Sequence, residues 1–145
     1  DGAILPTLRS HSKKQVLQDL SEKAGEVCGL SPRLVFETVL ARERLGTTGI
    51  GHGIAIPHGK IAGLDQIRGI FGRLTKPVDF EALDDQPVDL VFLLLAPESA
   101  GAEHLKALSK IARFIRNQKI VNELRVARDV ADIKRLMLEA ASPSL

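Results

Sequence analysis

The stretch from Val88 to Ala96 is almost uninterrupted in apolar residues, with Asp89 as its one charged member. A short run of this kind is typical of a β-strand buried on both faces, because a strand with one solvated face alternates apolar and polar residues. Pro97 follows the run and predicts the end of the strand, since proline has no N–H to donate. A strand buried on both faces needs covering elements, so the run predicts a sheet at the centre of an α/β fold.

Helical patterns before this run supply two of the covering elements. Ser12 is a predicted cap for a helix over residues 12–28, where apolar residues recur at helical spacing. The pair Ser31-Pro32 predicts the start of a second helix, because it places a capping side chain before a proline at the first helical position. That second helix is predicted to end at Gly46.

The rest of the chain alternates strand-like and helical patterns. Residues 54–56 and 66–74 are strand candidates, and the turn-rich segment 75–87 is a predicted loop. Helical spacing returns at Ala102 and predicts three helices, the last of them capped by Asp129. The predicted order is helix, helix, strand, strand, strand, helix, helix, helix. This order predicts an α/β fold in which a mixed sheet is covered by helices.

Composition limits the classes of protein that fit. A chain of 145 residues predicts a single compact domain over residues 1–145. A net charge of +2 without Trp or Tyr argues against nucleic acid as a partner. Cys28 stands alone, which excludes an internal disulfide and a cysteine-rich zinc site. No apolar run approaches a membrane span and no signal peptide is visible, so we expect no direct membrane insertion and a reduced, cytoplasmic location.

The segment from Thr48 to Lys60 has the strongest functional signal. Glycines alternate at positions 49, 51 and 53, which lets the backbone take unusual angles and lets another molecule approach closely. Pro57 interrupts the strand-like residues before it and delivers His58 next to a permissive glycine. A histidine presented in this way is suited to act as a nucleophile toward a large partner. Taken alone, however, a histidine after a proline is more often an ordinary surface residue.

Other glycine-rich motifs do not fit this segment. A P-loop needs a four-residue spacer before Gly-Lys and a Ser or Thr after it, and both are missing here. The dinucleotide fingerprint opens a helix, whereas these glycines lead into a strand-like Ile-Ala-Ile-Pro. A ligand- or nucleotide-binding module is still an open alternative, although the glycines are its only support.

The histidines do not form a metal-binding pattern. The chain has four of them, and they show neither His-x-x-x-His spacing nor a nearby carboxylate pattern: His11, His52, His58 and His104. We therefore expect no metal site and no cofactor. Among the four, the Pro-His context distinguishes His58 as the predicted functional residue.

The motif that ends in Pro57-His58-Gly59-Lys60 resembles the phosphohistidine motif of the fructose/mannitol-type (type 2) enzyme IIA domains of the bacterial phosphotransferase system. The resemblance covers nearly the whole chain in order. It is carried by Arg42, Thr48–Lys60, Asp79-Phe80, Ala82–Asp84, Gln86–Phe92 and Glu103–Leu108. The stretch from Arg42 to Thr48 is most similar to the nitrogen-regulatory branch. The fold implied is that of phosphotransferase/anion transport proteins, with a mixed, mostly parallel sheet flanked by helices.

The resemblance implies a role for each matched residue. His58 would accept the phosphoryl group, on Nε2 by analogy with the family. Arg42 matches a family arginine near the active histidine, and its planar fork suits a phosphoryl group. His104 matches a second histidine that lies beside the first in the family. We also expect the N–H groups of Thr48, Gly49 and Gly59 to form a small anion-binding loop.

The implied function is that of a phosphocarrier of the phosphoenolpyruvate-dependent phosphotransferase system. A phosphorylated HPr-like histidine carrier would be the donor, and regulated target proteins of unknown identity would be the other partners. In the nitrogen-regulatory branch this phosphotransferase activity serves control by phosphorylation. The alternative is a fructose/mannitol-type IIA domain that passes the phosphoryl group to a IIB domain for sugar uptake.

Overall fold

The computed structural model describes residues 3–141 and places them in six strands and five helices. In chain order these are β1 (Ile4–Leu8), α1 (Lys13–Cys28), α2 (Pro32–Leu45), β2 (Gly49–Gly51), β3 (Ile54–Ala55), β4 (His58–Ile61), β5 (Arg68–Val78), β6 (Val88–Pro97), α3 (Ala102–Phe114), α4 (Gln118–Val126) and α5 (Val130–Ala141). The chain divides into two compact units, Asp1–Ala100 and Gly101–Leu145. The interpretation of residues 1–145 as a single domain stays a prediction.

The apolar run forms β6, which is the central strand of the sheet in the first unit. Each of its residues except Asp89 is buried. The strand order is β1-β5-β6-β3-β2, and β4 pairs with β6 beyond β3. The pairings β1–β5, β3–β6 and β4–β6 are parallel, whereas β5–β6 and β2–β3 are antiparallel. The expected mixed, mostly parallel sheet is therefore confirmed.

Strands β3 and β4 follow each other along the same side of β6, and both pair with it in parallel. Ile54 lies opposite Leu90, and His58 lies opposite Leu94, so the register is the same on both sides of the interruption. The interruption is at Ile56 and Pro57, and the backbone N of Leu94 still donates to the carbonyl of Pro57 over 2.9 Å. Proline removes one donor but does not shift the register.

Helices α1 and α2 begin and end where the sequence predicts. The side chain of Ser12 caps α1 by accepting from the N–H of Gln15, and Ser31 caps α2 by accepting from the N–H of Leu34. Helix α1 packs against α2 and β5, and α2 packs against β4. Helix α2 buries Val35 and Val39, as helical spacing predicts. Leu34 is the exception among the apolar residues that this spacing turns inward, because it is 42% exposed.

Three strands were not predicted from the sequence. Strand β1 holds Leu5, Pro6 and Thr7 incompletely buried, so it lacks a clear apolar pattern. Strands β2 and β4 lie in the glycine-rich segment, where low strand propensity hides them. Strand β5 also continues to Val78, four residues beyond its predicted end, with an irregular register against β6 after Arg73.

The second unit contains helices α3, α4 and α5. The side chain of Asn117 caps α4 by accepting from the N–H of Ile120 over 3.3 Å. Asp129 accepts from the N–H of Asp132 over 3.0 Å, which confirms it as a cap at the start of α5. Helices α4 and α5 pack against each other. Across the part of the chain that the structure describes, none of the helices combines the length and apolarity needed to cross a membrane.

Candidate functional site

His58 is the first residue of β4, and both of its ring nitrogens have hydrogen-bond partners. Its Nδ1 lies 2.9 Å from the carbonyl oxygen of Ile56. Because a carbonyl oxygen only accepts, Nδ1 carries the proton of the neutral ring. Nε2 therefore holds the lone pair, and it accepts a hydrogen bond from Nε of Arg42 over 3.2 Å. The side chain is half-buried, so the ring is oriented and still reachable. The structure thus brings Arg42 next to His58, and the functional roles of the two residues stay predictions.

The position of His58 in the chain differs from the expectation in one respect. The sequence suggested that Pro57 ends a strand and that His58 follows it. In the structure His58 opens β4, since the ladder with β6 resumes directly after Pro57. The backbone of His58 is therefore fixed by the central strand, and only its side chain is directed by local contacts.

Arg42 is held at two points in the last turn of α2. Besides donating to His58, it donates from Nη1 to the carbonyl oxygen of Gly46 over 2.9 Å. The Gly46 carbonyl lies at the C-terminal end of the helix, where backbone acceptors lack intrahelical donors. A cation is also favoured there by the helix dipole. The guanidinium is thus anchored on the helix end while its Nε–H points at Nε2 of His58.

Glu43, next to Arg42, was missed by the sequence analysis. Its side chain is only 3% exposed and forms an ion pair of 2.8 Å with Nζ of Lys13. Its two carboxylate oxygens also accept from Thr48, one from the backbone N–H over 2.8 Å and the other from the hydroxyl. A sequence signal was available, because a helix dipole disfavours an anion in the last turn of α2 and a cation in the first turn of α1. Each charge is therefore disfavoured by the dipole of its own helix and is stabilised by the opposite charge of the other residue.

The glycine-rich segment is anchored to the loop that follows β5. The carbonyl oxygen of Gly49 accepts from the N–H of Leu83 over 3.0 Å. A Cβ atom on Gly49 would lie 2.9 Å from the Cβ of Ala82, so the two segments approach more closely than a side chain at position 49 allows. The hydroxyl of Thr47 donates to the carbonyl of Phe80 over 2.8 Å.

The predicted anion-binding loop stays a prediction. In this structure the N–H of Thr48 donates to Glu43, and the N–H of Gly49 donates to the hydroxyl of Thr47 over 3.0 Å. Gly59 lies in β4 opposite Leu95 of β6. The N–H groups of Thr48 and Gly49 are therefore engaged in internal hydrogen bonds.

The other three histidines lie outside β4. His104 is buried in α3, in the second unit, and its expected position beside His58 stays a prediction. His11 and His52 are exposed. Among residues 3–141, no group of three or more His, Cys, Asp or Glu side chains is arranged to hold a metal ion.

His52 takes a left-handed backbone conformation, with a φ of 58°, that glycine would adopt more easily. Its N–H donates to a carboxylate oxygen of Asp84 over 3.0 Å, and the N–H of Gln86 donates to the other oxygen over 3.1 Å. These two hydrogen bonds, that from His52 first, lower the pKa of the Asp84 carboxyl. The ionised carboxylate thus holds the tip of the glycine-rich segment in place.

Comparison with known proteins identifies the family. The chain belongs to the EIIA 2 family of the phosphoenolpyruvate-dependent sugar phosphotransferase system, whose family model matches residues 2–140. Members of this family take part in phosphotransfer, and the predicted family is therefore confirmed.

Individual relatives distinguish the branches of the family. A nitrogen regulatory protein from Bradyrhizobium diazoefficiens is 60% identical over 131 residues, covering 90% of this chain and 86% of that protein. The crystal structure of the nitrogen regulatory protein IIA-Ntr from Neisseria meningitidis has a TM-score of 0.89 at 38% identity, covering 94% of this chain and 93% of that chain. A fructose-specific EIIA component from Haloferax volcanii is more distant, at 33% identity over 86% of this chain and 80% of that protein. The predicted similarity to the nitrogen-regulatory branch is confirmed.

We expect Gly59→Ala to loosen the contact between β4 and α2. A Cβ at position 59 would lie 2.9 Å from Cγ2 of Thr38, a branched side chain that cannot easily turn away. The overpacking should lower the free energy of unfolding by about 1–3 kcal/mol, measured by urea denaturation. Thr38→Ala removes the clashing methyl group, so the double variant should regain most of the lost stability. An equally unstable double variant would show that the clash is not the cause.

The Asp84 contact predicts a titration in the glycine-rich segment. Because hydrogen bonding lowers the pKa of Asp84, its stabilising effect is present above the ordinary carboxyl pKa of 3.8 and is lost as the pH falls through the lower folded value. The amide NMR signal of His52 should therefore move at a pH below 3.8. Asp84→Asn should abolish this titration. A midpoint at or above the ordinary value would contradict the role of these hydrogen bonds.

Proposed function

We propose that the protein is a regulatory phosphocarrier in which Nε2 of His58 accepts a phosphoryl group from a phosphorylated HPr-like carrier. The observation that carries this proposal is the opposed pair of bonds on the imidazole. The Ile56 carbonyl fixes the proton on Nδ1, and Nε2 presents its lone pair to Arg42. Phosphoryl transfer asks a protein mainly for positioning and charge stabilisation, and this pair of bonds supplies both.

In the transfer step the lone pair of Nε2 forms a bond to phosphorus while the phosphorus–nitrogen bond of the carrier's phosphohistidine breaks. The bonding pair returns to the carrier's imidazole, which leaves as a neutral ring when its other nitrogen is protonated. The Nδ1 proton of His58 stays in place, so this ring gains positive charge, and the Ile56 carbonyl stabilises that charge. No general base is required, because Nε2 already holds a lone pair.

Arg42 has two successive roles in this proposal. In the unphosphorylated protein its Nε–H occupies the lone pair of His58, at the place where phosphorus would arrive. As the donor approaches, the guanidinium exchanges this bond for a phosphoryl oxygen. Its second anchor, on the carbonyl of Gly46, keeps the group nearby during the exchange. A charge-assisted bond to phosphate is stronger than one to a neutral nitrogen, so the exchange is favourable.

The surface around the glycine-rich segment suits a protein partner. Ile50 is 40% exposed and Leu83 is 75% exposed, and the bond between Gly49 and Leu83 brings their segments together. Leu45, at the end of the helix that carries Arg42, is 85% exposed. Exposed apolar side chains near a reactive group favour docking of a carrier over binding of a free small molecule.

Regulation by phosphorylation follows from the charge of the modified histidine. A phosphoryl group adds about −1.5 to −2 charges in the familiar phosphorylated residues. Next to exposed apolar side chains, such a charge disfavours one partner surface and favours another. Relatives named nitrogen regulatory proteins support this role. The cytoplasmic location, where a phosphorylated carrier is found, is part of the same proposal.

His58→Ala should abolish phosphorylation. After incubation with phosphoenolpyruvate, enzyme I and the carrier, the intact mass of the wild type should rise by one phosphoryl group that is labile in acid and stable in base. His52→Ala is the matched control, because it removes an exposed imidazole from the same segment and should label fully. Full labelling of His58→Ala would move the acceptor to another histidine.

Arg42→Gln should slow phosphoryl transfer about 10²–10³-fold, the range found when one donor to a developing charge is removed. Arg42→Lys keeps the charge but loses the planar fork, and we expect it to be intermediate. Arg44→Gln is the control, since Arg44 lies in the same helical turn and is exposed. Single-turnover transfer from the phosphorylated carrier measures the rates. Equal rates for wild type and Arg42→Gln would remove Arg42 from the mechanism.

Transfer to a IIB domain separates the regulatory proposal from the sugar-uptake alternative. The labelled protein is mixed with sugar-specific IIB domains, and the loss of its phosphoryl group is followed by mass. We expect retention of the label. Rapid transfer to a IIB domain, with sugar phosphorylation downstream, would favour the fructose/mannitol type of function instead.

A further inference from the structure

A continuous chain of hydrogen bonds joins a buried ion pair to the reactive imidazole. It begins at Nζ of Lys13, which pairs with Glu43 over 2.8 Å. Glu43 accepts from both the N–H and the hydroxyl of Thr48. The carbonyl of Thr48 accepts from the N–H of Ile56 over 2.9 Å, and the carbonyl of Ile56 accepts from Nδ1 of His58 over 2.9 Å.

This chain explains how the carbonyl of Ile56 is available to His58. In a strand the N–H and C=O of one residue point to the same edge, and the N–H of Ile56 points toward the β2 side, to Thr48. The register that pairs Gly49 with Ala55 places Thr48 opposite Ile56, but the N–H of Thr48 donates to Glu43 and leaves the Ile56 carbonyl to His58. The position of this carbonyl therefore depends on Thr48, and that of Thr48 depends on Glu43.

The arrangement is poorly explained by stability alone. Lys13 lies at the first residue of α1 and Glu43 lies in the last turn of α2, and both helix dipoles oppose these charges. Buried ion pairs are weak contributors to stability, because desolvation offsets the attraction. The Glu43 carboxylate instead fixes the geometry of Thr48, because it accepts from both the N–H and the hydroxyl of that residue.

We propose that Glu43 is a positioning residue for phosphoryl transfer, which holds Thr48 and, through the peptide of Ile56, the ring of His58. This proposal rests on His58 as the phosphoryl acceptor. Glu43 touches neither the ring nor the incoming group. Its effect is to keep the acceptor carbonyl in line with Nδ1, so that Nε2 stays directed at Arg42. Lys13 pairs with the carboxylate over 2.8 Å and holds it turned toward Thr48.

The first test compares Glu43→Gln with Glu81→Gln. Both substitutions remove a carboxylate that pairs with Lys13, but Glu81 is 79% exposed, lies 3.5 Å from the ammonium and does not contact Thr48. In the unphosphorylated protein we expect the ring-nitrogen NMR signals of His58 to shift in Glu43→Gln and not in Glu81→Gln. Unchanged ring-nitrogen signals in Glu43→Gln would overturn the proposal.

The second test separates positioning from carrier binding. In Glu43→Gln the transfer rate at saturating phosphorylated carrier should fall about ten- to a hundred-fold, the range found for partners that orient a functional histidine. The carrier concentration at half-saturation should not change, because the side chain of Glu43 is only 3% exposed and has little surface to offer a carrier. A reduced melting temperature with an unchanged rate would show a merely structural role and overturn the proposal.

Thr48 provides a second pair of variants if Glu43→Gln folds poorly. Thr48→Val keeps the shape of the side chain and removes the hydroxyl that donates to Glu43, whereas Thr48→Ser keeps that hydroxyl. We expect Thr48→Val to shift the His58 nitrogen signals and slow transfer, and Thr48→Ser to restore both. Equal behaviour of the two variants would contradict the proposal.

The two proposals fail in different ways. If His58 is not the acceptor, His58→Ala still labels, whatever the NMR signals show. If His58 is the acceptor but Glu43 does not position it, His58→Ala loses the label while Glu43→Gln leaves the ring signals and the rate unchanged.

Discussion

The hydrogen bond between Nδ1 of His58 and the carbonyl of Ile56 decides what the site can do. It selects one tautomer of the imidazole and thereby assigns the lone pair to Nε2. The bond forms where the backbone that pairs with β6, first as β3 and then as β4, is interrupted at Pro57 without losing register. The backbone on either side is fixed by the central strand, so a short turn of main chain can orient the ring reliably.

Much of the fold could be predicted from particular residues. The apolar run at 88–96 predicted the central strand, because a strand buried on both faces does not alternate apolar and polar residues. Ser12 and Ser31 marked the helix starts, since capping is a local interaction that a short sequence encodes. Strand β4 was hidden because its partner, β6, lies far away in the sequence. Strand β2 was hidden because its glycines pair with β3 through the backbone and carry no side-chain pattern.

The same distinction applies to the site. His58 and Arg42 could be named from a motif, because the phosphoryl transfer proposed for them calls for an imidazole and a planar cation. Glu43 could not be named from that motif, because its proposed role runs through Thr48, to which it is hydrogen-bonded, and not through a hydrogen bond to the ring. In the sequence Glu43 is marked only by its negative charge at the C-terminal end of a helix, where the dipole disfavours it. This charge is explained by Lys13, which lies at the equally unfavourable N-terminal end of α1 and pairs with Glu43.

The two hydrogen bonds of Arg42, to His58 and to the Gly46 carbonyl, have a consequence for which phosphate donors can react. Its guanidinium donates a hydrogen bond to Nε2 of His58, the nitrogen proposed to accept the phosphoryl group. In that proposal any reagent has to displace this hydrogen bond before it can react. A small, freely diffusing phosphate compound brings little binding energy to this displacement, whereas a docked macromolecule spreads the cost over its whole contact area. In the proposed mechanism, Arg42 thus makes the reactivity of the imidazole depend on recognition by a protein-sized donor.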